Sequence, residues 1–182
     1  MFGKKKLDRK KVAKTVAMLR IMENKLRFIE NKLERGIEEK MQDLIKVNEL
    51  YGKEFAMQIA AELAERKRIL ANMKSMRVSV ERVRIKFETL LDMEATVDMA
   101  KDVVPLIADL KKNFSKAAPE LSIMFSELEE RLNDMGIEIG SYAQLGEPTA
   151  LPVMAGGEVE SILREAAEVA KTRERGKLPA PP

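Results

Sequence analysis

Residues 8–47 read DRKKVAKTVAMLRIMENKLRFIENKLERGIEEKMQDLIKV. Apolar side chains recur at Val12, Val16, Leu19, Met22, Leu26, Ile29, Leu33, Ile37, Met41, Leu44 and Val47, and every step is three or four residues. That spacing holds them on one side of a helix. Asp8 is a suitable N-cap for it. A helix over 8–47 would be roughly 60 Å long at 1.5 Å per residue. A rod of that length cannot fold against itself. Its stripe must be covered by a second helix or by another molecule.

A second stripe follows at Tyr51, Phe55, Ile59, Leu63, Leu70, Met73, Met76, Val80, Val83, Phe87 and Leu90, interrupted once by Arg66. Gly52 is the only helix breaker between the two stripes. Periodicity alone also allows one unbroken helix. A hairpin turning near Gly52 is the better solution, because two such helices joined by a short turn cover each other's apolar faces. Further on, Pro105 removes a backbone donor inside MAKDVVPLIADLKK and should end or bend a helix there. Pro119 suits the first turn of a new helix. Leu121, Phe125, Leu128, Leu132 and Met135 form its apolar side, and Gly136 is a C-terminal stop. Residues 137–157 are rich in Gly, Pro and small side chains and read as a linker. Beyond them GEVESILREAAEVAKTRERG forms a short helix with Val159, Ile162, Leu163, Ala166 and Val169 inward, and the chain closes on LPAPP. The expected fold class is therefore all-α. It consists of a long helical hairpin, shorter acidic helices, a linker and a tail helix. In domain terms this is a basic N-terminus at 1–7, a helical core at 8–136, the linker at 137–157 and a tail at 158–182.

Composition excludes several function classes. The 182 residues include 35% charged and only 4% aromatic side chains, with no His, Cys or Trp. The usual metal ligands, thiol nucleophiles and imidazole bases are missing. No catalytic pattern emerges from the carboxylates and lysines that remain, and no cofactor is implied. The absence of Cys fits a reducing, cytoplasmic setting. No apolar run approaches the ~18 residues of a membrane span. Of the twelve methionines, those on the stripes (Met18, Met22, Met41, Met57, Met73, Met76, Met93, Met99) read as core filler, or as an adaptable surface that tolerates new neighbours.

Charge is distributed unevenly. Residues 1–90 carry 23 bases against 13 acids, and residues 91–182 carry 10 against 17. The first fourteen residues hold seven bases and one acid, beginning MFGKKK. Such a basic half attracts an anionic surface, while the acidic half can fold back on it or bind the next copy. A solvated basic tail is the plain alternative.

The order of these segments resembles the ESCRT-III superfamily, and most closely its short archaeal cell-division members. The resemblance covers nearly the full length. Its most characteristic stretch is MEATVDMAKDVVPLIADLKKNFSKAAPELSIMFSELEERLNDMG, residues 93–136, together with the Phe2-Gly3-Lys4-Lys5 cluster ahead of the first helix. The resemblance implies a non-enzymatic protein that polymerises with itself or with paralogues. Such a polymer forms on an anionic membrane, constricts or severs it in cell division, and is dismantled by an AAA ATPase. It also implies a peripheral location on the inner face of the cell membrane at the division site. Some relatives carry a winged-helix domain after the tail; this chain is too short for one, as expected of a short paralogue recruited to an existing assembly.

Residue roles follow from the resemblance. Phe2, Lys4, Lys5, Lys6, Arg9, Lys10 and Lys11 are the expected membrane contacts. Each base near an anionic leaflet contributes up to about 1 kcal/mol, and burying Phe2 among headgroups adds roughly 1.5–3 kcal/mol. Phe2 tucked against the chain's own hairpin is the alternative. Glu127, Glu129, Glu130 and Asp134 are expected to lie against the basic hairpin or to form a polymer contact. The ATPase's MIT domain is expected to grip the tail. The helical version of its motif falls on Glu160, Leu163, Ala166, Ala167, Ala170 and Lys171, with Ala at three of the six positions. The proline-rich version matches Leu178, Pro179 and Pro181. A nucleic-acid-associated coiled coil and a purely structural coiled coil are the competing readings. Against the first stand the eight aromatics, with no stacking platform, and acids interleaved along the basic helices. No small-molecule substrate is expected.

Overall fold

A computed structural model describes residues 5–117, 119–139 and 157–177. The expected hairpin is present. Helix α1 runs Arg9–Tyr51 and α2 runs Lys53–Leu91, with Gly52 alone between them at φ +87°. A side chain rarely adopts that left-handed conformation, so glycine is the residue that allows so short a turn. Asp8 caps α1 as expected: its Oδ1 accepts from the Lys10 amide at 3.0 Å and the Lys11 amide at 3.5 Å.

Helix α3 (Val97–Ala100) and a 3₁₀ turn (Lys101–Val103) precede α4 (Val104–Ala117). Pro105 is the second residue of α4, where its missing donor costs nothing. Helix α5 spans Pro119–Asp134 and α6 spans Gly157–Lys177. Gly136 ends α5 as expected, at φ +87°. The Ile137 amide donates to the Leu132 carbonyl at 2.9 Å, and the Gly136 amide to the Asn133 carbonyl at 2.9 Å. This is the Schellman pattern, with its usual apolar pair supplied by Leu132 and Ile137, both fully buried. Ile139 is buried as well, so the packed core reaches past residue 136 into the start of the segment read as linker.

The chain divides into two compact units, Met1–Glu30 with Asn72–Thr149, and Asn31–Ala71 with Ala150–Pro182. In the first unit, Val12, Val16, Leu19, Met22 and Leu26 of α1 are buried. So are Val80, Val83 and Phe87 of α2, Ile107, Leu110 and Phe114 of α4, and Leu121, Phe125, Leu128 and Leu132 of α5. Phe114 and Phe125 meet with ring centroids 5.6 Å apart.

The second unit is the hairpin tip with α6. Met41, Leu44 and Ile45 of α1, Ala56, Ala60, Leu63 and Ala64 of α2, and Ile162 and Ala166 of α6 form one cluster. Val159, Leu163, Val169 and Ala170 pack against it, so the inward face expected for the tail helix is the observed one. The second stripe departs from expectation at its start. Tyr51 and Phe55 are exposed, and Ala56 and Ala60 point inward. The alanines of α2 meet the alanines of α6, and small side chains on both sides let the backbones approach. Two aromatic rings on that face would hold α6 away. Gly36 and Arg66, the two irregularities of the stripes, also explain each other. A Cβ at Gly36 would lie 3.1 Å from the Arg66 guanidinium, so the glycine leaves the space that the arginine crosses. Of the stripe methionines, Met18, Met22, Met41, Met73 and Met76 are buried as core filler, while Met57, Met93 and Met99 are exposed.

Candidate functional site

Of the basic segment ahead of α1, residues 5–7 are fastened down. Residues 5–7 lie extended against residues 95–97, in an isolated antiparallel bridge centred on Lys6 and Thr96. The Leu7 amide donates to the Ala95 carbonyl and the Val97 amide to the Lys5 carbonyl, each at 2.9 Å. Leu7 is buried. Alternation along the extended segment then leaves Lys6 on the outer side, exposed, 3.6 Å from an equally exposed Glu94. A pair so open to water contributes little.

Two of the expected membrane contacts have structural duties. Arg9 donates to the Leu91 carbonyl at 2.7 Å, at the last residue of α2. Lys11 donates from Nζ to the Asp134 carbonyl at 3.2 Å, at the last residue of α5. Each cation satisfies an orphan carbonyl at the negative end of a helix dipole. Lys5 and Lys10 are exposed, with no side-chain partner among the described residues. Phe2 and Lys4 lie outside the described residues.

Behind this segment the two long helices are locked in register by charge. Glu30 accepts from Arg77 Nε at 2.8 Å, and Glu23 accepts from Arg84 Nε at 2.8 Å. The two pairs stand one heptad apart on each helix, and both carboxylates are buried. Arg84 also reaches Glu88 at 2.9 Å, and Arg20 reaches Glu88 at 2.6 Å. The hydrogen bond that Arg84 donates to Glu23, and then the one it donates to Glu88, hold its guanidinium above its ordinary pKa despite partial burial. The Arg20 hydrogen bond, then that of Arg84, holds the Glu88 carboxyl below its ordinary range. Sequence reading missed these pairs. The signal was present as Glu23 and Glu30 at heptad spacing beside the apolar stripe, but only the hairpin register shows what they meet.

The structure brings Asp134 to the basic segment through its carbonyl and Lys11. Glu129 instead pairs with Lys111 of α4 at 2.8 Å. Glu127 and Glu130 are exposed and make no ion pair with the basic hairpin among the described residues. Outward from the core, α5 thus presents a stripe of Ile123, Glu127, Glu130 and Asp134.

The tail site is half covered. Leu163 is partly buried against the hairpin-tip cluster, beside Ala166 and Ala170. Lys67 pairs with Glu165 at 2.9 Å, and Arg173 donates to Gln42 at 2.5 Å, so polar contacts hold α6 near its middle and towards its C-terminal end. Two of the three alanines that replace larger residues in the helical MIT-type pattern, Ala166 and Ala170, pack in the cluster that contains Ala56, Ala60 and Ala64 of α2. Leu178, Pro179 and Pro181 lie outside the described residues.

Among the described residues no group of His, Cys, Asp and Glu could hold a metal ion, and no helix is long and apolar enough to cross a membrane. Among the described residues, apolar and open surfaces include the following two. One is a groove of about 440 Å³ between α1 and α5, lined by Ile21, Asn24, Lys25, Phe28, Ile29 and Leu121. The other is the hairpin tip, where Leu50, Tyr51, Phe55 and Met57 are exposed.

Comparison with known proteins gives, among others, two relatives from Sulfolobus acidocaldarius. Cell division protein B1 is 30% identical over 127 residues, covering 70% of this chain and 58% of that protein. Cell division protein B is 24% identical over 123 residues, covering 68% of this chain and 46% of that protein. The chain spans about half the length of these relatives. No family model matches the chain, and no solved structure does.

Proposed function

Because the chain belongs to the archaeal ESCRT-III-like family of cell-division proteins, we propose that it is a filament subunit that assembles on anionic membrane at the division site and remodels it. The observation that carries this reading is the exposed basic segment held rigidly at the base of the hairpin. Lys5, Lys6 and Lys10 stand free of strong partners, with Lys4 and Phe2 next to them in sequence. At up to about 1 kcal/mol per base near an anionic leaflet, one copy binds reversibly. An array of copies binds firmly through multivalency. Phe2 adds apolar burial among the headgroups.

The remaining roles follow in the same reading. The exposed acids Glu127 and Glu130, with Asp134, serve contact between subunits. The tail from Leu163 to Pro181 is gripped by an AAA ATPase bearing an MIT domain, through Leu178, Pro179 and Pro181 while α6 is docked. Leu163 becomes available when α6 lifts. The inner face of the cell membrane is the working location, and the function requires no cofactor.

The test uses vesicles. The wild-type chain should sediment with anionic vesicles at low ionic strength, ignore neutral ones, and form filaments visible by negative stain. The combined Lys4→Gln, Lys5→Gln, Lys6→Gln and Lys10→Gln variant should lose sedimentation while keeping Arg9 and Lys11, the two bases that cap helices. Equal sedimentation of this variant, or a wild-type chain that ignores anionic vesicles, overturns the reading.

A further inference from the structure

The hairpin tip carries a cluster that the fold does not use. Leu50 and Tyr51 end α1, while Phe55 and Met57 begin α2, and all four are about half exposed or more. Tyr51 and Phe55 stack edge to face at 6.1 Å. The rings are held together and turned outward because Ala56 and Ala60 occupy the inner face against α6. Exposed apolar clusters of this kind, rimmed by polar residues, mark contact sites.

The same chain offers an unfilled receptor. The α1–α5 groove has a buried floor at Leu121 and walls at Ile21 and Phe28, with Phe28 70% exposed. Lys25 lies between the walls, and no acid stands among the described lining residues. Its volume lies within the range of sites that enclose compact apolar groups. The charges also suit. The tip aromatics are flanked by exposed carboxylates at Glu49 and Glu54, with Lys53 between, and a groove ammonium can meet both a carboxylate and a ring face.

We propose that the hairpin tip of one copy seats in the α1–α5 groove of the next copy. Patch and groove are different surfaces of one chain, so the contact is heterologous. Unless its rotation happens to close a ring, it propagates into an open filament. The inference rests on the filament reading and supplies the contact that reading lacks. It leaves the basic segment and the tail free for membrane and ATPase.

The chain has no cysteine, which makes a crosslinking test clean. Chains carrying Phe55→Cys and chains carrying Phe28→Cys, mixed under mild oxidation, should form a mixed disulfide dimer far faster than either variant forms one alone. Self-crosslinking of Phe55→Cys at the mixed rate would mean tip against tip and overturns the proposal, as does absence of the mixed product. A second measurement addresses assembly. Tyr51→Ser with Phe55→Ser, and separately Ile21→Ser with Phe28→Ser, should each raise the concentration needed for filaments roughly tenfold or more. These residues are exposed, so the fold should persist. A 1:1 mixture of the two variants should give two-copy complexes that do not extend, because each pair holds one intact patch and one intact groove. Both variants break the same contact and should weaken vesicle sedimentation alike, so a tip variant that loses sedimentation where the groove variant keeps it places the tip in lipid and overturns the contact. Wild-type filaments unaffected by either variant overturn this inference alone. A wild-type chain that neither binds vesicles nor polymerises overturns the filament reading, and the mixed disulfide then decides the contact separately.

Discussion

Arg84→Met is the substitution whose cost the structure specifies most closely. Arg84 hydrogen-bonds two carboxylates with unequal alternatives, and stands 4.0 Å from a third, that of the more exposed Glu81. Glu88 has Arg20 at 2.6 Å as a second partner and stays paired when Arg84 is lost. Glu23 has no such reserve. Its side chain is 8% exposed, its Oε2 is held by Arg84, and its Oε1 is buried without a hydrogen-bond partner among the described residues. Removing Arg84 therefore strands a buried carboxylate, which costs about 3–5 kcal/mol. In a chain of this size that lowers Tm by roughly 6–20 °C. Adding Glu23→Leu to Arg84→Met removes the stranded charge and offers apolar volume to a core that contains Met22 and Leu26. Replacing a whole buried pair in this way is often neutral. The double variant should therefore be the more stable of the two, although it carries more substitutions. Thermal and guanidinium unfolding followed by helical circular dichroism measure the order directly. If the double variant is no more stable than Arg84→Met alone, the stranded Glu23 is not the source of the loss, and the account of the register lock is wrong.

Two further outcomes are expected. Ile162→Ala, at a position only 4% exposed beneath α6, should weaken docking of the tail helix by about 2 kcal/mol or more; amide exchange across α6 should then quicken roughly thirtyfold, and unchanged exchange would contradict the packing described. The lowered Glu88 carboxyl stabilises the fold fully above its ordinary 4.5, and that contribution disappears as pH falls through the depressed folded value. Arg20→Gln removes the largest cause of the depression, so its Tm should fall less steeply on acidification below 4.5 than the wild type's. Superimposable pH profiles would count against the Arg20–Glu88 bond.

Several elements could be read without any structure because they depend on local chemistry. The stripe from Val12 to Val47 gave one helix, since its three- and four-residue steps match a single backbone period. Gly52, Pro105, Pro119 and Gly136 each stand at or beside a helix boundary, because each either lacks a donor or tolerates a positive φ, whereas the end of α2 at Leu91 carries no such residue. Ile162, Leu163 and Ala166 announced the inner face of the tail helix for the same reason as the long stripe. The order of segments also carried the kinship, and the two cell-division relatives match along that order.

What failed to show in the sequence depended on residues far apart in the chain. Periodicity names a face but not the face it meets. Tyr51 and Phe55 satisfied the stripe as well as Ala56 and Ala60 did, and only the small side chains of α6 decided between them. The bridge between residues 5–7 and 95–97 is too short to leave an alternating pattern, so nothing in the sequence showed that the basic segment is fastened there. Arg9 and Lys11 looked like their lysine neighbours until α2 and α5 ended beside them. Glu23 and Glu30 became buried partners only once the hairpin set Arg77 and Arg84 opposite. The sequence determined where helices begin, end and turn apolar, because those are properties of neighbours along the backbone. The tertiary structure decided which charges face water, which are locked in pairs and which apolar groups stay unpartnered, because burial and pairing belong to surfaces brought together from distant parts of the chain.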